Sequence, residues 1–313
     1  MTRLLAKPWL WAWLAAAAVW LATAFVAGGQ GGGQVLTAAF TFATFSVIVA
    51  LGQMFVITLG PGNVDLSIPA TITLAGAVAT KVMDAQDALI LPGLLVALLI
   101  GVLVGCGNFL LILLLRIPPI IATLSSSFLV QSAAIAYGRG LRIKPPPLLA
   151  DFTTAQIMGV PVLAACVLLI TAAMGVVLHR TVYGRWVTAI GQNARAAHLA
   201  GVDVQRTRFA TYVMSAVFAS LCGYLLSGFS GGASLSMGEE YLLTSIAVVV
   251  IGGSSVAGGF SNLPGLWGAA LFLFLTVTML NTYGFGAGIR YLATGLIIIA
   301  VIVAASGRRA GRA

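Results

Sequence analysis

The fold class this sequence predicts is all-α: a polytopic helical membrane protein of about ten transmembrane passes, as three observations show. Hydrophobic residues make up 60% of the chain and charged residues 7%, whereas a soluble domain carries about 25% charge. Mean hydropathy is +1.07, and the apolar residues come in runs that reach the roughly 20 residues a helix needs to cross the hydrocarbon layer. There are 37 glycines, in keeping with helices that pack closely inside a membrane through small residues.

Taken in order, the apolar runs are 9–27, 36–59, 67–82, 89–115, 118–137, 159–179, 207–228, 241–257, 263–281 and 286–305. Arg3 and Lys7 precede the first in the manner of a signal peptide. Cleavage before Gly28, however, would leave Phe25 where a small residue is required, so an uncleaved first helix is expected. The whole chain, 1–313, reads as a single transmembrane domain.

Charge orients the path. With the N-terminus inside, five of the basic residues face outside, Lys81, Arg139, Arg142, Lys144 and Arg290, and the other 11 face inside. Asp84, Asp87, Asp151, Glu239 and Glu240 also fall outside. That bias is the one the positive-inside rule requires, and it places both termini in the cytoplasm; a bacterial cytoplasmic (inner) membrane is the expected location. The net charge of +9 sits singly at segment ends and in a basic C-terminus; this is anchoring to the membrane surface and its lipids, not a nucleic-acid footprint.

Two stretches interrupt the pattern without becoming long loops: 60–67, with Asn63, Asp65 and Ser67, and 252–259, which opens with Gly252 and Gly253. Glycine and proline release the backbone from the helical ladder. At membrane depth that is tolerated only where protein or a water-filled cavity satisfies the freed groups. Broken segments in matching places of two halves are a transporter pattern. The one long polar stretch on the inside, about 180–208, predicts a short helix capped by Asn193, running through Ala196 and Ala197 and stopped by Gly201. A helix so short needs a partner or the membrane surface to hold it.

Catalytic patterns are missing. His179 and His198 have no acid at ligand spacing, and Cys106, Cys166 and Cys222 lie in apolar runs without a CxxC; the cysteines read as packing residues, and no metal site is expected. Without a Walker A sequence the chain does not hydrolyse ATP by that route. Asp65 is the acid nearest membrane depth. It reads either as a helix cap, with Ser67, for a helix starting at Ile68 with Pro69 in its first turn, or as a proton or sodium site. Phe128, Gln131 and the serines of 125–132 read either as an interhelical packing face or as the lining of a path for a hydroxyl-rich solute.

Three blocks then carry a resemblance. They are Gly62-Asn63-Val64-Asp65-Leu66-Ser67; the run Tyr183-Gly184-Arg185 through Ala189, Gly191, Asn193, Ala196 and Ala197 to Gly201-Val202; and Ile246-Ala247 followed by Gly252 to Gly259. In that order they resemble the ribose-type permeases of binding-protein-dependent ABC importers, a family that serves ribose, xylose, galactose and autoinducer-2. The chain departs from the family in having Gly60-Pro61-Gly62-Asn63 before the aspartate and Ile68-Pro69 after the serine, which marks a subgroup.

The resemblance implies a type II importer architecture. Its parts are a permease dimer of like or paralogous chains, two ATPase subunits that use ATP and magnesium, and a separate periplasmic or extracellular solute-binding protein; this chain itself binds no cofactor. Gly191, Asn193, Ala196, Ala197 and Gly201 fall in what would be the coupling helix. Asn63, Asp65, Ser67, Phe128, Gln131, Gly252 and Gly253 are the candidates for the broken-helix pathway. Arg139, Arg142, Lys144 and Arg290 are either interfacial anchors or docking residues for the binding protein. The expected solute is a monosaccharide or related polyol. The other readings are a permease of the related branched-chain amino-acid or nucleoside branch, and an ion-coupled secondary transporter using Asp65 that would work without an ATPase.

Overall fold

A computed structural model describes residues 7–26, 32–140 and 143–286, and of the stretch beyond it 288–289, 292–293, 295–297 and 299. Eleven α-helices are defined among the described residues: α1 (Pro8–Val26), α2 (Gly32–Thr58), α3 (Ile68–Met83), α4 (Ile90–Leu115), α5 (Pro119–Gly138), α6 (Pro147–Thr154), α7 (Val162–Arg180), α8 (Val182–Leu199), α9 (Val204–Phe229), α10 (Tyr241–Ile251) and α11 (Leu263–Thr282). Six of these, α2, α4, α5, α7, α9 and α11, are long and apolar enough to cross a membrane, and α1, α3 and α10 are shorter apolar helices. The protein is a polytopic helical membrane protein, as its composition demands. The tenth expected pass, 286–305, lies largely outside the described residues.

Burial separates the helices. In α9, 67% of the most apolar window is buried, against 22% in α5. Helix α9 runs against α2, α3 and α4, while α11 packs on α1 and α2. Small residues stand at every fourth position of α4, Gly93, Ala97, Gly101 and Gly105, all buried; Gly93 faces Met83 and Ala79 of α3, and Gly101 and Gly105 face α9. Side chains four apart lie on one helical face, and small ones let the backbones meet. A methyl on Gly101 would stand 2.8 Å from the Ala216 carbonyl oxygen, and one on Gly105 would stand 2.9 Å from that of Tyr212. Two indole N–H groups bond between helices: exposed Trp13 donates to the Pro264 carbonyl at 2.9 Å, and buried Trp267, which needs a partner, donates to the Thr171 hydroxyl at 3.2 Å.

Three boundaries differ from the sequence reading. The run expected to start at 159 begins instead with a two-stranded antiparallel hairpin, Gln156–Ile157 with Val160–Pro161, and the helix starts at Val162. Met158 (φ 51°) and Gly159 (φ 79°) form its turn, with both central residues at positive φ as tight hairpins prefer. Thr37 of α2 donates to the Gly159 carbonyl at 2.7 Å. The pass expected over 241–257 is helical only to Ile251, about 16 Å at 1.5 Å per residue and half a bilayer core. The polar stretch holds a helix from Val182 onward, of which only the last turns had been expected.

Candidate translocation and coupling site

The segment between α2 and α3 folds around Asp65, which is fully buried. One carboxylate oxygen accepts the Ser67 amide at 3.0 Å and the Ser67 hydroxyl at 2.6 Å; the other accepts the Ser215 hydroxyl of α9 at 2.8 Å. The Asp65 amide donates to Gln53 Oε1 of α2 at 3.2 Å. Asn108 of α4 donates through Nδ2 to Ser67 Oγ at 2.8 Å, and the Leu66 amide donates to the Thr123 hydroxyl of α5 at 3.1 Å. Tyr212 of α9 donates its hydroxyl hydrogen to Oδ1 of Asn63, two residues before Asp65, at 3.1 Å, and Asn63 Nδ2 donates to the Gly60 carbonyl at 3.2 Å. The broken segment thus ties α2, α3, α4, α5 and α9 together. Its freed backbone is satisfied by protein, the condition for irregular chain at membrane depth.

The expected cap is corrected in detail. Ser67 is the residue before α3 and Pro69 stands in its first turn, but no side chain caps the helix. The Ser67 hydroxyl turns back to the Asp65 carboxyl, 2.6 Å away, and its hydrogen is thereby taken.

The second broken segment closes on itself. Asn262 Nδ2 donates to the Gly252 carbonyl at 2.9 Å, the Asn262 amide donates to Ser254 Oγ at 2.9 Å, and the Ser255 amide donates to the Phe260 carbonyl at 2.9 Å. Gly252 lies against Gly265 of α11, where a methyl would stand 2.9 Å from the Gly265 carbonyl carbon, and Gly253 has φ 93°.

Helix α8 begins on Thr181, whose hydroxyl accepts the Gly184 amide at 3.2 Å. Tyr183 holds it to α9 through a 2.7 Å hydrogen bond with Thr211, and its ring stacks on Phe55 of α2. The helix breaks at Asn193 (φ −161°, ψ 101°) and restarts, with Asn193 Oδ1 accepting the Ala196 amide at 2.9 Å. It ends as the sequence suggests. Gly201 (φ 84°) donates to the His198 carbonyl and Val202 to the Ala197 carbonyl, each at 3.0 Å, the paired bonds of a Schellman stop. Between those two caps Arg195, Ala196 and His198 are exposed and Leu199 is 80% exposed. Ala197 and Gly191 are buried, so the residues expected to form one contact divide into an outward and an inward set.

Phe128 and Gln131 are not drawn into the Asp65 cluster. Phe128 is 68% exposed on α5 with Ser125 and Ser132 beside it, and Gln131 donates to the Leu235 carbonyl at 3.0 Å. Arg139 and Lys144 are exposed, while Arg142 and Arg290 lie outside the described residues. No cluster of metal-ligating side chains occurs among the described residues. Ser215, Tyr212 and Thr123 were missed by the sequence reading. Gln53 and Asn108 are polar residues inside apolar runs, and that is the available signal for them.

A family model described as the branched-chain amino acid transport system permease component matches residues 35–304. This chain belongs to that permease family. A probable ABC transporter permease of Sinorhizobium fredii is 31% identical over 260 residues, which is 82% of this chain and 77% of the relative. The ribose import permease of Haemophilus influenzae is 27% identical over 266 residues, 83% of this chain and 81% of the relative. An autoinducer 2 import system permease of an Enterobacter species is 31% identical over 271 residues, 86% and 78% of the two chains. No solved structure matches this permease. The family and its ribose-type members identify the protein as a permease subunit of ABC transport, not an enzyme.

Proposed function

We propose that this permease imports a monosaccharide or related polyol across the bacterial cytoplasmic membrane, as one half of a permease pair driven by two ATPase subunits and supplied by an extracytoplasmic binding protein. The whole chain serves as one transmembrane domain, with both termini and residues 180–208 facing the cytoplasm. ATP and magnesium belong to the ATPase partner. The sugar assignment follows the ribose and autoinducer 2 permeases to which the chain is similar.

The observation that supports the reading most is the end of α8: a short helix fixed by a cap at each end, with Arg195, Ala196 and Leu199 exposed among the described residues. Six or so residues of helix do not persist without tertiary support. Replacing Leu199 with aspartate should lower co-purification of the ATPase subunit at least tenfold while leaving the permease folded, because Leu199 touches little of its own chain. Unchanged co-purification would put the contact elsewhere.

On α5 the exposed face of Ser125, Phe128 and Ser132 suits a solute path shared with the second permease. Asp65 argues for the ABC reading over ion coupling, since both carboxylate oxygens are taken by donors of the chain itself. At the opposite end, exposed Arg139 and Lys144 suit docking of an acidic binding-protein surface, as complementary charge speeds encounter. Neutralising Arg139, Arg142 and Lys144 together should reduce binding-protein stimulation of ATP hydrolysis at physiological salt; full stimulation would reject the docking role.

A further inference from the structure

We propose that Gly191 is the positioning residue of an intramolecular joint through which the end of α8 moves both broken segments as one body. The proposal rests on the ATPase-contact reading of α8 and says what lies behind that contact.

Three stretches far apart in the chain meet here by backbone. The Gly259 amide donates to the Thr58 carbonyl at the end of α2, at 2.9 Å. Gly191, two residues before the α8 break, lies over that bond: a methyl there would overlap both the Thr58 oxygen and the Gly259 nitrogen and stand 2.9 Å from Gly259 Cα. On the other side a methyl on Gly259 would lie 2.7 Å from Gln192 Cγ and 2.9 Å from its amide nitrogen, and one on Gly258 would overlap Gly60 and stand 3.1 Å from the Thr58 oxygen. Gly60 (φ 120°), Gly258 (φ 83°) and Gly259 (φ 72°) hold conformations that side chains disfavour. Tight packing of this kind transmits strain, and here no rotamer change can absorb a displacement because no side chain separates the strands of the joint.

The joint is continuous with the Asp65 cluster. Gly60 gives its carbonyl to Asn63, Asn63 accepts from Tyr212, and Ser215, one turn along α9, holds Asp65. A shift of 194–199 is thereby delivered to 60–67 and 252–259 together. Contiguity alone does not show coupling, so the test measures it.

Hydrogen exchange on the permease alone, in lipid nanodiscs, needs no partner. Gly191→Ala should speed amide exchange at least tenfold at Gly259 and also across 63–67 and 252–258, whereas Gly175→Ala, which has open space around it, should change none of these. Faster exchange confined to 192–196 would overturn the joint. In the reconstituted importer Gly191→Ala should keep the ATPase subunit bound but lower uptake per ATP hydrolysed at least tenfold; uptake at the wild-type ratio would also overturn it. Should Gly191→Ala not accumulate, Gln192→Ala removes only the side chain over Gly259 and should give a threefold change at the same amides, with no change rejecting the joint. If the wild-type permease never binds an ATPase, the functional assignment fails, and the exchange data still decide the joint.

Discussion

Replacing Asp65 with alanine is expected to cost this permease about 3–5 kcal/mol of stability. The carboxylate accepts three hydrogen bonds, from the Ser67 amide, the Ser67 hydroxyl and the Ser215 hydroxyl, in a place water does not reach. A buried donor left without a partner costs about 1–3 kcal/mol. One can be recovered, since a serine hydroxyl in a helix can turn to the carbonyl four residues back; the Ser67 amide cannot turn. Asparagine keeps an acceptor for Ser67 and offers Ser215 a donor in place of an acceptor, so Asp65→Asn should cost only about 1–2 kcal/mol. Denaturant unfolding of the purified permease in detergent reads both. If alanine fell within about 0.5 kcal/mol of the wild type, the size of a surface change, the network would not be holding the broken segment.

The second large effect is a pair of identical substitutions with opposite sign. Gly105→Ala should lose about 2 kcal/mol or more, because overpacking a tight contact costs about 1–3 kcal/mol and the obstacle is backbone: the Tyr212 carbonyl oxygen at 2.9 Å and the Val213 amide nitrogen at 3.0 Å. Gly107→Ala, half a turn away, meets nothing within 4 Å and should be neutral or gain up to about 1 kcal/mol from helix propensity. The same unfolding measurement decides. Equal effects at the two positions would mean that α4 does not lie against α9 on the Gly101–Gly105 face.

Much of this fold could be read from the residues, for local reasons. The cores of α2, α4, α7 and α11 coincide with the apolar runs because a membrane helix has little else to specify it. The end of α8 was legible because Asn193 and Gly201 carry the cap geometry in their own side chain or lack of one. The first half of α8 was hidden, since Tyr183, Gly184, Trp186 and Gln192 form no apolar run; tertiary contacts to Thr211 and Phe55 hold it. The hairpin at 156–161 was hidden by its merger with the following apolar stretch. At the site, the sequence pointed to Asp65 and Ser67 but not to their partners. Ser215 lies 150 residues from Asp65 and Tyr212 lies 149 from Asn63, and no periodicity connects positions that far apart. The same holds for Gly191, grouped by the sequence with outward-facing neighbours, although the structure turns it inward.

Helix α10, too short to cross the bilayer, has an electrical consequence that it shares with α3. Each has one end buried within the protein, and a helix end carries about half an elementary charge, positive at the N-terminus and negative at the C-terminus. The start of α3 at Ile68 therefore places a partial positive charge beside Asp65, and the end of α10 places a partial negative charge at Gly252, whose carbonyl receives the Asn262 amide group. Asp65 thus faces a helix end as well as its own hydrogen-bond donors. One break meets its helix end with a carboxyl group and the other with a neutral side-chain amide, both supplied by the chain itself.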